Sequence, residues 1–213
     1  TAHLREDRRH IRDGDIARLK QEISLPLNLE MAATDEMVAI ALTHLPHACC
    51  LVPEKREELT TEGGLDASGH VAHLAPRIAT LVEAGIRVSL FIDPDPDQIS
   101  RARDAGADRI ELYTGPYADA AAKYGIDSKE AHEYWKRYRR SVIHAKEQGL
   151  GINAGHDLNL INLARFCSIG NIDEVSIGHA LIADALELGL TVTIERYLEA
   201  LNMAASVARV TLA

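Results

Sequence analysis

The chain has 213 residues, 46% of them hydrophobic and 26% charged, with a formal net charge of −9 at pH 7. Its length suits a single α/β domain, and its composition is that of a globular protein. The acidic balance argues against nucleic acid or an anionic membrane as a partner, although a local basic cluster can still bind a small anion. No apolar run is long enough to span a bilayer, and no signal peptide is recognisable at the start.

Short apolar segments recur along the chain, and each is followed by polar residues. Near-continuous apolar runs are typical of parallel strands whose two faces are both buried. The predicted strands span residues 1–4, 25–31, 48–52, 86–92, 109–113, 151–154 and 174–177. Cys49 and Cys50 would point to opposite faces of one strand and could not serve one site. We expect these two and Cys167 to be reduced thiols, which indicates a cytoplasmic protein.

Helices are predicted between these strands. Three of them end at a glycine, where the left-handed conformation stops a helix. These glycines are Gly85, Gly106 and Gly149. A further long helix is expected over residues 128–148, with Asp127 or Ser128 as its N-cap.

The alternation of strands and helices predicts βαβ units and a parallel sheet. Polar residues follow the strands at His3, Glu30, Glu54, Asp93, Thr114, His156 and His179. Such a distribution favours a (β/α)8 TIM barrel over an open doubly wound sheet, which concentrates its site at one switch point. We count seven strands where a barrel needs eight. We therefore expect residues 1–213 to form a single TIM-barrel domain that is N-terminally incomplete and lacks its first strand and helix.

The segment 3–10, HLREDRRH, carries the densest group of charged residues. Arginine matches the geometry of phosphate oxygens, and histidine exchanges protons near neutral pH. This favours a substrate-binding loop after the first strand. The alternative is a solvated loop in which Glu6 and Asp7 pair with the arginines.

Glu30 stands at the end of an apolar strand, where burial would raise its pKa toward a value useful for a general base. The alternative is a strand-end carboxylate paired with an arginine. The segment 60–64, TTEGG, places hydroxyls beside glycines and suits a loop that binds a phosphate or a sugar hydroxyl. A flexible surface loop would have the same composition.

His156 follows a predicted strand and would face the mouth of the barrel, while Asp157 would cap the next helix. Gly178 and His179 end the following strand, and the backbone N–H groups there would bind an anion at a helix N-terminus. No spacing typical of metal ligands is present. His70 and His73 are expected to form a surface pair on a helix.

Together these segments resemble the pyridoxine 5'-phosphate synthase family. The matching motifs occur in the family's order over essentially the whole chain. They are HLREDRRHI at 3–11, NLEMA at 28–32, LVPEKREELTTEGGLD at 51–66, VSLFID at 88–93, NAGH at 153–156 and IGHALI at 177–182.

The resemblance implies a (β/α)8 barrel that assembles as a homo-octamer. It implies condensation of 1-deoxy-D-xylulose 5-phosphate with 3-amino-2-oxopropyl phosphate to pyridoxine 5'-phosphate, phosphate and water, without a metal or organic cofactor. By motif position, the proton acceptors are His3 and Glu30, and the proton donor is His156. The residues that match the deoxyxylulose phosphate site are Arg5, His10 and Thr60. Those that match the aminoketone phosphate site are Asp157, Gly178 and His179.

The chain departs from the family in two ways. Position 157 is Asp where the family often has Gly, and an inward carboxylate there would repel phosphate. The N-terminal strand and helix, which supply further substrate contacts in the family, are expected to be absent. Two alternatives therefore stay open: an inactive fragment or assembly module of the same barrel, and another phosphate-handling barrel such as an isomerase or aldolase. For an aldolase, Lys55 is the nearest candidate for a Schiff base.

Overall fold

The structure, a computed structural model, describes residues 1–54 and 61–211, with side chains as far as residue 207. In this part of the chain the strands form one seven-stranded sheet, all parallel and in chain order. The strands are β1 (Ala2–His3), β2 (Asn28–Met31), β3 (Ala48–Leu51), β4 (Arg87–Ile92), β5 (Arg109–Tyr113), β6 (Gly151–Gly155) and β7 (Glu174–Ser176).

Helices connect successive strands and cover the outer face of the sheet. They are α1 (Asp13–Glu22), α2 (Asp35–His44), α3 (Ala67–Glu83), α4 (Pro96–Asp104), α5 (Gly115–Tyr124), α6 (Lys129–Glu147), α7 (Leu163–Cys167), α8 (His179–Leu188) and α9 (Leu190–Thr211). Several begin at a side chain that accepts a hydrogen bond from the first turn, as Asp66 does for α3 and Asp95 for α4. Such caps satisfy N–H groups that the helix itself leaves without partners.

The sheet is curled, which gives it the form of an open half-barrel. An ion pair joins Arg87 on β4 to Glu174 on β7 at 3.3 Å, although two strands lie between them. Within the described residues β1 and β7 do not pair with each other, so the predicted gap between the first and last strands is confirmed. The consecutive strand order has no reversal, which excludes the doubly wound sheet.

Successive side chains along a strand point alternately to the helices outside the sheet and to its inner, concave face. Cys49 belongs to the large core between the sheet and the helices, whereas its neighbour Cys50 packs with Val52 and Phe91 in a small inner cluster. The predicted opposite orientation of the two cysteines is confirmed. These two and Cys167 are free thiols.

Most predicted boundaries agree with the structure to within one residue. The exception is β2, which begins at Asn28 rather than at residue 25, because Leu25 is exposed and Pro26 has no N–H to donate to a neighbouring strand. The three helix-ending glycines have positive φ, as predicted. His70 and His73 lie exposed on α3. Among the described helices, none combines the length and apolar character needed to cross a membrane.

Ser128 provides a test of the fold at the start of α6. Its hydroxyl accepts a hydrogen bond from the backbone N–H of Ala131 at 3.1 Å. We expect Ser128→Ala to lower the free energy of unfolding by about 1 kcal/mol, because one N–H of the first turn loses its acceptor. Urea denaturation measures the change. Ser128→Asp, which keeps an acceptor, is the control, and equal unfolding midpoints for Ser128→Ala and the unchanged protein would refute the cap.

Candidate active site

A cavity of about 300 Å³ opens at the carboxyl ends of the strands. Parallel strands of a curled sheet bring the residues at these ends together, which is why active sites of barrels lie there. The cavity is lined by Thr1, His3, Glu30, Val52, Thr61, Phe91, Glu111, His156, Asp157, Ser176, Ile177, Gly178 and His179. A larger groove of about 460 Å³ runs beside the start of β7 and α9, but its lining is mostly apolar.

His3 lies between two carboxyl groups. Its Nε2 atom is 3.0 Å from Oε1 of Glu54, and its Nδ1 atom is 3.5 Å from Oε2 of Glu30. Burial pushes the pKa of Glu54 upward, but hydrogen bonds from His3 and from the backbone N–H of Glu6 outweigh it, so the pKa lies below its ordinary value. Glu54 is therefore an ionised acceptor beside Nε2 of His3, and Nδ1 of the same ring faces Glu30.

Glu30 occupies the third position of β2 and keeps 20% of its side-chain surface exposed, because it faces the cavity. Burial raises its pKa, while the charges of His3 and His156 oppose the rise. A carboxyl group whose pKa is moved upward is a stronger base than an ordinary glutamate once it is ionised. A raised pKa agrees with the general-base prediction, and the partner of Glu30 that the described residues show is the imidazole of His3.

Glu111 is a second carboxyl group on the concave face. It lies in the middle of β5 and is 2% exposed. Burial raises its pKa to about 8, the charge of Glu30 adds to the rise, and contacts with Ser176 and Cys50 oppose it only in part. Its Oε2 atom has no hydrogen-bond partner among the described residues. At neutral pH this group holds a proton that it can donate into the cavity.

The turn after β6 brings three titratable side chains together. Nε2 of His156 lies 3.5 Å from one carboxylate oxygen of Asp157, and Nε2 of His179 lies 3.6 Å from the other. The carboxylate faces the two imidazoles, whose positive charge when protonated would offset its repulsion of an anion. The prediction that Asp157 caps a helix is wrong, since α7 begins only after Asn162 and Asp157 lies too far upstream.

The helix α8 begins at His179, directly after Gly178, and its first turn faces the cavity. The unpaired N–H groups of a helix N-terminus form a favourable environment for an anion. This is the geometry that the sequence predicted for residues 178–179.

Two of the predicted site residues, Arg5 and His10, are not among the described residues that line the cavity. Arg5 is buried, near Asp7 at 3.8 Å, and its charge acts on Glu54. His10 is exposed on the same loop. Thr60, like Lys55, lies outside the described residues.

Part of the charged segment 3–10 agrees with the alternative prediction, in which its arginines pair with carboxylates. Arg9 pairs with Asp7 at 2.5 Å, and Arg8 pairs with Asp13 and Glu36. These arginines are engaged with carboxylates on the outside of the site.

Sequence reasoning missed Glu111, Ser176 and Phe91, whereas Thr61 lies in the segment 60–64 that was predicted to form a binding loop. Only Glu111 had a usable signal, because a charged residue in the middle of the apolar strand 109–113 is costly to bury and calls for an explanation. Ser176 and Phe91 look like ordinary strand residues until the curl of the sheet turns them inward. Among the described residues, no group of three or more His, Cys, Asp or Glu side chains is arranged to hold a metal ion.

Fold and cavity together define a protein of the parallel α/β, barrel-like class, with titratable side chains and a helix N-terminus at the carboxyl ends of its strands. Residues 1–203 match the family described as "Pyridoxal phosphate biosynthesis protein PdxJ". The chain belongs to this family.

Two named relatives are similar to nearly the whole chain. The pyridoxine 5'-phosphate synthase of Xanthobacter autotrophicus is 56% identical over 196 residues, which cover 92% of this chain and 76% of that protein. That of Rhodospirillum rubrum is also 56% identical over 196 residues, covering 92% and 77%. Among solved structures, a chain of the Amycolatopsis orientalis BexX/CysO complex has a TM-score of 0.51 at 15% identity, covering 94% of this chain and 78% of that chain, which shows a similar fold only.

The raised pKa of Glu111 predicts how stability depends on pH. Between an unfolded value near 4.5 and a folded value of about 8, the folded state holds the proton and the unfolded state has lost it. Stability therefore falls as pH rises through this window. We expect Glu111→Gln, which cannot titrate, to lose less stability than the unchanged protein between about pH 5 and about pH 8.

Urea denaturation at both pH values measures the difference. The matched control is Glu133→Gln on the exposed face of α6, whose pKa is not raised and which should not reproduce the effect. Parallel pH dependence of Glu111→Gln and the unchanged protein would show that Glu111 is ionised in the folded state at neutral pH.

Proposed function

We propose that this chain acts as a pyridoxine 5'-phosphate synthase, condensing 1-deoxy-D-xylulose 5-phosphate with 3-amino-2-oxopropyl phosphate to give pyridoxine 5'-phosphate, phosphate and water. The observation that carries the proposal is the family match over residues 1–203. The cavity supports it, because acid/base side chains and a helix N-terminus meet in one place.

The reaction requires several proton transfers around one substrate. An amine attacks a ketone, water leaves, a C–H bond loses its proton, and phosphate departs. We assign His3 and Glu30 as proton acceptors and His156 as the proton donor. The contact between Nδ1 of His3 and Glu30 supports this assignment, since a proton taken by one group can pass to the other. Phe91 and Val52 add apolar lining that limits water around the reacting atoms.

Two phosphate groups require two anion sites. We assign Gly178, His179 and Asp157 to the aminoketone phosphate; the start of α8 supports this, with Asp157 contributing through its backbone while its carboxylate faces the histidines. We assign Arg5, His10 and Thr60 to the deoxyxylulose phosphate, on the resemblance of the first loop and of residues 51–66 alone.

We further propose that the half-barrel is part of a single-domain (β/α)8 barrel, with an eighth strand between β7 and β1. Within the described residues β1 and β7 each pair with a neighbour on one side only, which supports this proposal because an open parallel edge offers a row of unpaired N–H and C=O groups. We expect a homo-octamer that works in the cytoplasm, as the family resemblance implies.

The direct test is formation of pyridoxine 5'-phosphate from the two substrates, followed by chromatography and by release of inorganic phosphate. Turnover by the chain would exclude the alternatives of an inactive module and of an isomerase or aldolase. If purified protein is folded but inactive, the assay should be repeated on a version that carries whatever coding sequence precedes Thr1. Inactivity of both versions would refute the proposed function.

Substitution of Glu30 tests whether this residue is a general base or has a structural role only. Glu30→Gln is nearly isosteric and cannot accept a proton, so we expect turnover to fall by roughly 100- to 10,000-fold. Substrate affinity should change far less, because other groups hold the phosphates. Steady-state kinetics and thermal unfolding on the same preparation measure both effects.

Glu83→Gln, on the exposed end of α3, is the matched control and should keep full turnover. A Glu30→Gln protein with normal turnover and lowered stability would refute the general-base role.

A further inference from the structure

The turn after β6 holds two consecutive non-glycine residues in the left-handed region, with φ of 88° at His156 and 58° at Asp157. This region is unfavourable for residues with a Cβ atom, so it persists only where the surroundings hold it. Gly155, the residue before the turn, cannot be replaced by a residue with a side chain, because its Cβ atom would collide with the carboxyl group of Glu111. The left-handed residues that follow need stabilising contacts from elsewhere in the fold.

Thr114 is in contact with the carbonyl groups of this turn. It is fully buried between β5 and α5. Its backbone N–H donates to the carbonyl oxygen of Gly155 at 3.0 Å, and its hydroxyl lies 2.7 Å from the same oxygen. The hydroxyl also contacts the carbonyl oxygen of His156. Its single proton can be donated to either carbonyl, so the hydroxyl joins the end of β6 to the left-handed residue that follows.

The position of Thr114 makes this contact informative. Thr114 is the N-cap residue of α5, where a threonine oxygen usually accepts a hydrogen bond from the first helical turn. Here the side chain makes no such bond and contacts the turn after β6 instead. The hydroxyl of Thr114 therefore contacts the backbone of His156 instead of capping α5.

Asn162 supports the same turn from the other side. It is 2% exposed, and its Nδ2 atom donates to the carbonyl oxygen of Asp157 at 3.1 Å. Carbonyl oxygens of residues 155, 156 and 157 are thus all contacted by buried polar side chains. Buried polar groups with satisfied hydrogen bonds fix one backbone conformation, since any other would leave them without partners.

The consequence is a defined place for the ring of His156. The imidazole packs against Tyr113, with ring centroids 5.2 Å apart, and against Phe91, with centroids 6.4 Å apart. If the turn relaxed to ordinary backbone angles, the direction of the Cα–Cβ bond would change and the ring would leave this wall of the cavity.

We propose that Thr114 is a positioning residue, whose hydroxyl holds the left-handed turn at residues 156–157 and thereby directs the His156 imidazole into the cavity. The inference rests on the proposed function, because it gives the positioned ring the role of proton donor. Thr114 itself is not one of the residues that line the cavity.

The test is Thr114→Val, which keeps the branched shape and the backbone N–H but removes the hydroxyl. We expect kcat to fall by roughly 10- to 100-fold, because displacement of a catalytic group by about 1 Å is enough for such a loss. KM for both substrates should change little. Thr114→Ser keeps the hydroxyl and should restore most of the turnover.

Thr193→Val is the matched control. Thr193 is equally buried, and its hydroxyl donates to the backbone carbonyl of Gly189 at 3.0 Å, in α9 and away from the cavity lining. It should lose stability without losing kcat. If Thr114→Val behaves in the same way, with lowered stability and normal kcat per folded molecule, Thr114 has a structural role only and the proposal is overturned.

A second readout does not depend on turnover. The readout is the NMR chemical shifts of the His156 ring in protein with isotope-labelled histidine. These signals are assigned by comparison with His156→Asn, and they carry the ring-current effect of Tyr113 and Phe91. We expect Thr114→Val to move these signals, and unchanged signals would overturn the proposal even if the chain had no synthase activity. If Thr114→Val does not fold, Asn162→Asp, which removes the donor to Asp157, should displace the same signals, and its failure to do so would equally overturn it.

Discussion

Two carboxyl groups lie on the concave face of one curled sheet, and the arrangement of the site follows from the free-energy cost of putting them there. Glu111 is buried in the middle of β5, and Glu30 is largely buried at the end of β2. The charge of Glu30 adds to the cost of ionising Glu111 where water is scarce, so Glu111 retains its proton near neutral pH. His3 and His156 offset part of the charge on Glu30. Gly155 is required because the carboxyl group of Glu111 occupies the space that a side chain would need.

The curl of the sheet gives its two ends different roles. Toward the amino ends of the strands, ion pairs join side chains on the concave face, such as Arg87 with Glu174 and Arg109 with Asp173. Their charges are matched, so they need no ligand. Toward the carboxyl ends, by contrast, carboxyl groups and imidazoles face an open cavity beside a helix N-terminus. The negative charge of a small phosphorylated molecule would be favourable beside the N-terminus of α8.

The turn at residues 155–157 shows how the site depends on residues outside the cavity. The unfavourable backbone angles of His156 and Asp157 are held by Thr114 and Asn162, which belong to segments 42 and 5 residues away along the chain. Asp157 also lies between the imidazoles of His156 and His179. The two imidazoles, when protonated, would offset the repulsion between this carboxylate and an anion at the proposed phosphate site.

The sequence by itself determined the α/β class, the seven strands and the glycine helix ends, and it narrowed the N-cap of α6 to Asp127 or Ser128. Each of these depends on a local periodicity or on one residue's conformational preference. It also predicted that His3, Glu30, His156 and His179 lie close together, as their places in the cavity lining confirm, because polar residues directly after buried strands meet at one end of a parallel sheet. It could not determine which arginines of the first loop are engaged in ion pairs, since Arg8 meets Glu36 from another element. It missed Glu111, Ser176 and the hydroxyl of Thr114, and it assigned Asp157 to a helix cap. Their roles were decided by the tertiary structure, because the curl of the sheet and the contact between β5 and the turn after β6 bring together atoms that are distant in sequence.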